Sequence, residues 1–154
     1  MAIDDTTGSN QAHHLPLAIK LLHPDAIVPS YGRPGDAGLD LYACEDTVLL
    51  PGEQRVVKTG IALAIPAGAV GLVWDRSGMA AKNGVKTMAG VIDATYRGEL
   101  GVVMISLRDL AYEIKKGDRI AQLLVQPIYT AHISIVDDLD ATHRGVGGFG
   151  SSGR

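Results

Sequence analysis

At 154 residues and a formal net charge of −3, the chain is long enough for one domain with a real core and lacks the basic excess of a usual nucleic-acid-binding surface. Glycine is abundant at 19 residues, where an average content of about 7% would give about 11. No apolar run approaches the roughly 18 residues of a membrane span, no charged-then-apolar signal pattern opens the chain, and Cys44 is the single cysteine; an internal disulfide is excluded, direct nucleic-acid and membrane partners are not expected, and a reducing, cytoplasmic location is.

Residues 1–14 are polar and are expected to form a flexible arm. The alternation Leu17-Ala18-Ile19-Lys20-Leu21 predicts a strand. Residues 24–34 carry three prolines and Gly32 and predict a loop. In Gly35-Asp36-Ala37-Gly38-Leu39-Asp40-Leu41-Tyr42, Leu39 and Leu41 share one strand face, and Asp40 and Tyr42 the other. Asp40 is then either an exposed strand residue, which the residues alone favour, or a carboxylate aimed into a cleft. Strands are predicted at 47–50, 54–58 and 61–65, the last two separated by a break at Gly60. Pro51-Gly52 and Pro66-Ala67-Gly68 mark turns. Residues 69–74 form an apolar strand. Strands punctuated about every 8 to 12 residues indicate an all-β sandwich or barrel.

Residues 75–84 break the pattern. Ser77 can serve as an N-cap, Met79-Ala80-Ala81-Lys82 favour helix, and Asn83-Gly84 close it. One short helix of about one to two turns is expected. Arg76 and Ser77 before a helix start can form an anion site of amides, a hydroxyl and a guanidinium, or simply a capped surface turn.

Gly90-Val91-Ile92-Asp93-Ala94-Thr95-Tyr96-Arg97-Gly98 follows. Val91 and Ile92 read as the end of a buried strand and Gly98 as the turn into the next, 100–107. Asp93 and Tyr96 thus sit on a connection, where a scaffold can hold side chains toward a ligand. The alternative is a hairpin whose amides bond to Asp93. Residues 109–116 predict a turn and strand. Gly117-Asp118-Arg119 opens another apolar strand to Val125, with Asp118 and Arg119 as a possible turn ion pair. Gln122 is an amide in that run and needs partners if buried. Residues 128–136 alternate weakly and are expected to close the folded body. The tail, Arg144 to Arg154, has five glycines in eleven residues together with Phe149, the only Phe of the chain. Glycine backbone approaches phosphates closely, Arg pairs with them, and an aromatic stacks on a base. A tail that orders over a nucleotide accounts for this composition better than a passive linker.

Five stretches stand in order: Ala37-Gly38-Leu39-Asp40, Arg76-Ser77-Gly78, Gly90 to Gly98, Gly117 to Leu123, and Arg144 to Gly153. Together they resemble the five motifs of the homotrimeric dUTP pyrophosphatases, or dUTPases, and the resemblance runs from about Leu17 to Gly153. It implies a jelly-roll-like β-barrel over 15–137 with a C-terminal arm at 138–154. It implies a homotrimer with shared sites, and Mg2+ as cofactor. The implied reaction is hydrolysis of dUTP to dUMP and pyrophosphate by water attack at the α-phosphate. That activity would limit uracil incorporation into DNA and supply dUMP for dTMP synthesis. By position, Asp93 resembles the water-activating carboxylate, and Tyr96 the ring that packs under the deoxyribose and leaves no room for a 2′-hydroxyl. Asp40 resembles the acid that holds Mg2+ through a water. Arg76, Ser77 and Gly78 match the phosphate loop, and Gln122 a phosphate-side amide. Arg144, Phe149, Gly150, Ser151 and Ser152 match the lid, and main-chain groups from Met88 through Gly90 to Val91 would read the uracil edge. Two positions depart from the family pattern. Asp75 stands where many members have proline, so it is expected to point away or to pair with Arg76. Thr87 stands where several bacterial members place a uracil-reading Asn.

A triphosphate must be neutralised before water attacks it, and Mg2+ with Arg76 and Arg144 could supply that charge. Such hydrolysis needs no covalent nucleophile, so Cys44 reads as a small core residue. The related dCTP deaminase branch, including its bifunctional members, needs an acid in the strand after Asp93, and Gly101-Val102-Val103-Met104-Ile105-Ser106 has none. A non-catalytic nucleotide-binding regulatory trimer is the remaining alternative; Asp40, Asp93 and Arg144 argue against it.

Overall fold

A computed structural model of the chain describes residues 15–146. The arm 1–14 and the lid residues Phe149, Gly150, Ser151 and Ser152 lie outside the described residues. The described residues form eleven strands: β1 (Ala18–Leu21), β2 (Ser30–Tyr31), β3 (Leu39–Tyr42), β4 (Thr47–Leu49), β5 (Gln54–Ala64), β6 (Ala69–Trp74), β7 (Val85–Thr87), β8 (Val91–Ile92), β9 (Glu99–Ser106), β10 (Tyr112–Ile114) and β11 (Arg119–Pro127). Three antiparallel sheets result, ordered β1-β5-β9-β7, β2-β3-β11-β6-β8 and β10-β4. The architecture is the expected jelly-roll-like all-β fold. Among the described residues no helix is long and apolar enough to cross a membrane.

The alternation in β9 shows why the sheets close on one another. Leu100, Val102, Met104 and Ser106 are buried while the residues between them are not. Ile61 and Leu63 of β5 meet Leu41 of β3 and Ala121 and Leu123 of β11 in the same core. Each fully buried aliphatic side chain contributes about 1.5–3 kcal/mol relative to exposure. Cys44 is buried as a small core residue, and burial pushes its thiol above the ordinary value.

Several elements differ from the sequence expectation. The break at Gly60 is a bulge inside one strand: β5 runs through it, with a register shift between Lys58 and Ala62 and Gly60 at φ +68°. The loop 24–34 contains the two-residue strand β2, which pairs with β3. Val91 is 69% exposed and β8 is an edge strand, so Val91 is not buried. The short helix is a π-helical turn, Met79–Asn83. Ser77 is not its cap: the N-cap position falls on Gly78, with helical φ and ψ and no side-chain cap bond. At the other end Gly84 adopts the left-handed conformation and its N–H returns to the Ala80 carbonyl, the arrangement expected of a glycine stop. Residues 128–136 form no strand; Tyr129, Ile133 and Ile135 are almost fully exposed.

Candidate active site

The residues expected on the phosphate side gather at one end of the five-stranded sheet. Asp40 of β3 is opposite Gln122 of β11, and Gln122 is opposite Trp74 at the end of β6. The chain leaves β6 directly into Asp75, Arg76 and Ser77. A cleft of about 750 Å³ opens there, lined by Asp40, Arg76, Ser77, Gly78, Arg119 and Gln122 among others.

Asp40 is aimed into this cleft. Its side chain is only 15% exposed, because two arginines cover it. Arg76 Nε lies 3.2 Å from Oδ1 and Arg119 Nη1 3.2 Å from Oδ2. Arg76 also donates to the Arg119 carbonyl at 3.1 Å. Arg119 is therefore not in a turn ion pair with Asp118, whose carboxylate accepts from the Lys115 N–H at 2.8 Å. A pairing of carboxylate with guanidinium across 79 residues of chain leaves no local trace in sequence. Arg33, Lys82 and Tyr112 also line the cleft and were not singled out by the sequence. Burial, with Asp118 nearby, pushes the Tyr112 phenol above its ordinary value, so it stays a donor at neutral pH.

The partners of Gln122 are now clear. Its Nε2 donates to the Asp75 carbonyl at 2.8 Å. A Cβ on Gly38 would stand 2.7 Å from its Oε1, so Gly38 must be glycine for the amide to fit. Gly78 differs, since a Cβ there would meet nothing within 4 Å. Its backbone is open to the cleft rather than packed by the chain.

The two departures from the family pattern are partners. Asp75 does not pair with Arg76. Its Oδ2 accepts from Lys86 Nζ at 2.8 Å, and its Oδ1 accepts from both the Thr87 N–H and the Thr87 hydroxyl. Burial pulls the Asp75 carboxyl upward, but the bonds from Lys86 and Thr87 outweigh it and hold its pKa below the ordinary 3.8. Beyond Thr87, Met88 donates its N–H to the Val103 carbonyl. Ala89 follows at φ +63°, a conformation costing a non-glycine residue about 1–3 kcal/mol and found preferentially at functional sites. Gly90 is at φ +135°, and a Cβ there would strike the Val73 carbonyl at 2.6 Å.

Asp93 and Tyr96 stand in a second, smaller pocket of about 170 Å³ with Val91 and Glu99. The Tyr96 N–H closes the turn on the Asp93 carbonyl at 3.0 Å. Arg97 braces the same turn through the Ala94 and Tyr96 carbonyls, both at 2.7 Å. Among the described residues nothing bonds to the Asp93 carboxylate, so it is not an acceptor for turn amides. Arg144 lies in the turn that the Gly145 N–H closes on Thr142.

One chain does not bring the two pockets together. Asp93 lies one step past the Ile92–Gly71 pair, on a row of the sheet that meets β11 at Gln126. Asp40 lies opposite Gln122 on β3, three strands from β8. Four residues along β11 and three strand spacings across separate Asp93 from Asp40 by about 20 Å.

Fold and site together define an all-β, jelly-roll-like protein whose cleft brings arginines, carboxylates and a serine hydroxyl together and which holds apart from them an Asp93 carboxylate bonded to none of the described residues. A family model described as dUTPase matches residues 24–153, and the chain belongs to the dUTPase family. It is 50% identical over 143 residues to the deoxyuridine 5′-triphosphate nucleotidohydrolase of Rhodococcus erythropolis, covering 91% of this chain and 87% of that one. Against the same enzyme of Syntrophotalea carbinolica it is 48% identical over 141 residues, covering 89% and 96%. A variant of the Staphylococcus bacteriophage 80alpha dUTPase with dUpNHpp superposes with a TM-score of 0.86 at 35% identity, covering 90% of this chain and 99% of that one. A variant dUTPase from phage phi11 of S. aureus, whose structure describes coordination of a structural Mg(II) ion, gives a TM-score of 0.76 at 32% identity, covering 80% and 98%.

Proposed function

We propose that the protein hydrolyses dUTP to dUMP and pyrophosphate, with Asp93 activating the water that attacks the α-phosphate. The observation that carries this reading is the Asp93 carboxylate, bonded to none of the described residues, beside Tyr96 in a pocket of about 170 Å³. A partnerless carboxylate can accept a proton from water. Arg76, Ser77 and the Gly78 backbone receive the phosphates, with Gln122 beside them. Tyr96 lies under the deoxyribose. Backbone groups from Met88 to Val91, next to Thr87, read the base. Arg144, Phe149, Gly150, Ser151 and Ser152 close the site as a lid. The folded body is taken as 15–137 with 138–154 as the arm, and the location as the cytoplasm.

Mg2+ is the proposed cofactor. Among the described residues no group of three or more acidic, His or Cys side chains could hold a metal. Mg2+ keeps several waters and is held by one or two carboxylates plus substrate phosphates, so it needs no such group. Asp40 would hold the ion, through a water. When bound, the ion supplies neutralising charge to the phosphates. Phosphates entering the cleft offer Arg76 and Arg119 an alternative to Asp40.

The active unit is a homotrimer whose sites each combine Asp93 and Tyr96 of one chain with Asp40, Arg76 and Gln122 of another. The separation of about 20 Å within one chain, estimated from strand spacings, supports this. The exposed apolar side chains of Val91, Trp74, Ile133 and Ile135 support association as well. The deciding experiment is pyrophosphate release from dUTP with Mg2+, with UTP and dCTP as controls. Asp93→Asn should bind dUTP but turn over about 10²-fold or more slowly. Near-normal turnover in that variant, or equal hydrolysis of all three nucleotides, would overturn the reading.

A further inference from the structure

Tyr96 is held from its C-terminal side by a chain of contacts. Its hydroxyl donates to the Glu99 carbonyl at 2.9 Å. Its ring lies directly over Gly98: a Cβ there would be 2.5 Å from the hydroxyl oxygen and 2.7 Å from Cζ. No side chain other than hydrogen fits beneath the ring. Gly98 is not at a positive φ, so its requirement comes from this close approach and not from backbone conformation.

Glu99 is fixed in turn. Its Oε1 accepts the Gly60 N–H at 2.9 Å. Gly60 is the left-handed residue of the β5 bulge, opposite the start of β9. In a regular ladder an amide there would bond to a backbone carbonyl; the bulge leaves it for a side chain, a known way of re-aiming groups beside functional sites. Gly60 is itself wedged in place. Its carbonyl accepts the Leu22 N–H at 2.7 Å, and a Cβ on it would come within 2.9–3.1 Å of His23, Ala26 and Cys44. Next to it, the Thr59 hydroxyl donates to the Leu100 carbonyl. The first turn of chain after Tyr96 is thereby tied to the bulge through a side chain and a hydroxyl.

We propose that Gly98 and Glu99 are positioning residues that set the Tyr96 ring, and through it determine selection between deoxyribo- and ribonucleotides. Gly98 provides the seat of the ring. The Glu99 carboxylate fixes the carbonyl that anchors the hydroxyl of Tyr96. The inference rests on the reading of Tyr96 as the surface under the sugar. An aromatic ring can exclude a hydroxyl only if it cannot yield, since a soft apolar pocket rejects an added hydroxyl by about 10²-fold at most.

The test compares the affinities of the α,β-imido analogues of dUTP and UTP, with Mg2+, by calorimetry in the full chain. Tyr96→Ala should narrow the dUTP-to-UTP affinity ratio most. Glu99→Ala and Gly98→Ala should each narrow it by about tenfold, and Glu99→Gln, which keeps an acceptor for the Gly60 N–H, should restore it to within about twofold of the parent. Adding Glu99→Ala to Tyr96→Ala should change the ratio no further, because coupled residues are not additive. If Gly98→Ala does not fold, Tyr96→Phe takes its place; it removes only the bond to the Glu99 carbonyl and should narrow the ratio in the same sense. If Tyr96→Ala narrows the ratio while Glu99→Ala leaves it unchanged, lowering only the melting temperature or weakening both analogues equally, the positioning role is wrong and the sugar reading stands. If Tyr96→Ala itself leaves the ratio unchanged, the sugar reading fails and the proposal fails with it.

Discussion

Mixing two inactive variants tests the shared site directly. Asp93→Asn removes the proposed base, and Arg76→Ala removes a cation that lies 3.2 Å from Asp40. Each alone should lower dUTP turnover by about 10²-fold or more. Within one chain Asp93 lies about 20 Å by strand spacings from Asp40, the carboxylate that Arg76 pairs with, so one chain does not bring Asp93 and Arg76 into one pocket. In a cyclic trimer each site would take Asp93 from one chain and Arg76 from its neighbour. Random assembly from equal amounts supplies intact Asp93 with a chance of one half and intact Arg76 with a chance of one half, so about a quarter of sites recover both. Co-refolding the variants in varied ratios and following pyrophosphate release should therefore give a curve that peaks at equal amounts, near one quarter of parent activity. Light scattering on the same samples fixes the assembly state. A mixture no more active than its two components would place the whole site within one chain and refute the geometric argument.

Four further outcomes follow from particular contacts. Asp75→Asn should lower the melting temperature at pH 7. The depressed folded pKa means that the stabilising contribution is full above the unfolded value near 3.8 and is lost as pH falls through the lower folded value; a melting difference that stays constant from pH 7 to pH 3 would contradict this. Asp75→Ala should also strip the Thr87 amide and hydroxyl of their acceptor, at about 1–3 kcal/mol in urea unfolding. Ser106→Ala should be neutral or stabilising by up to about 1 kcal/mol, since its buried hydroxyl has no partner among the described residues; a clear loss in thermal melts would mean an unseen bond. Truncation before Arg144 should leave melting nearly unchanged and abolish turnover, because the clamp on the nucleotide is removed; unchanged dUTP hydrolysis would make the tail a linker.

Strand and turn chemistry were legible because they are local. The alternation at 39–42, the apolar run at 69–74 and the glycine stop at Gly84 needed only neighbours in sequence. The convergence of Asp40, Arg76 and Gln122 was not local, and only the resemblance of the ordered motifs to the family anticipated it. What escaped was set at long range. Whether Asp40 faces solvent depends on Arg119, far along the chain and one strand away. Gly60 looked like an end because a glycine in a strand usually is one; the bulge depends on His23, Ala26 and Cys44 packing against it. The partnership of Asp75 with Thr87 was hidden for the same reason, although both had been marked as unusual. The alternation over 128–136 is real, but periodicity records which face a strand would bury and not whether a surface is there to bury it.

The place of β11 bears on how this chain must be made. That strand fills the gap between β3 and β6, both synthesised well before it. Until Pro127 has been added, the nascent chain carries two unmatched strand edges and a core lacking Ile120, Ala121 and Leu123, and its longest pairings close last. Those edges offer templates to other chains in the crowded surroundings of the ribosome. Synthesis speed across the segment between β6 and β11, and chaperone supply while it is traversed, should govern yield more than the stability of the finished fold does.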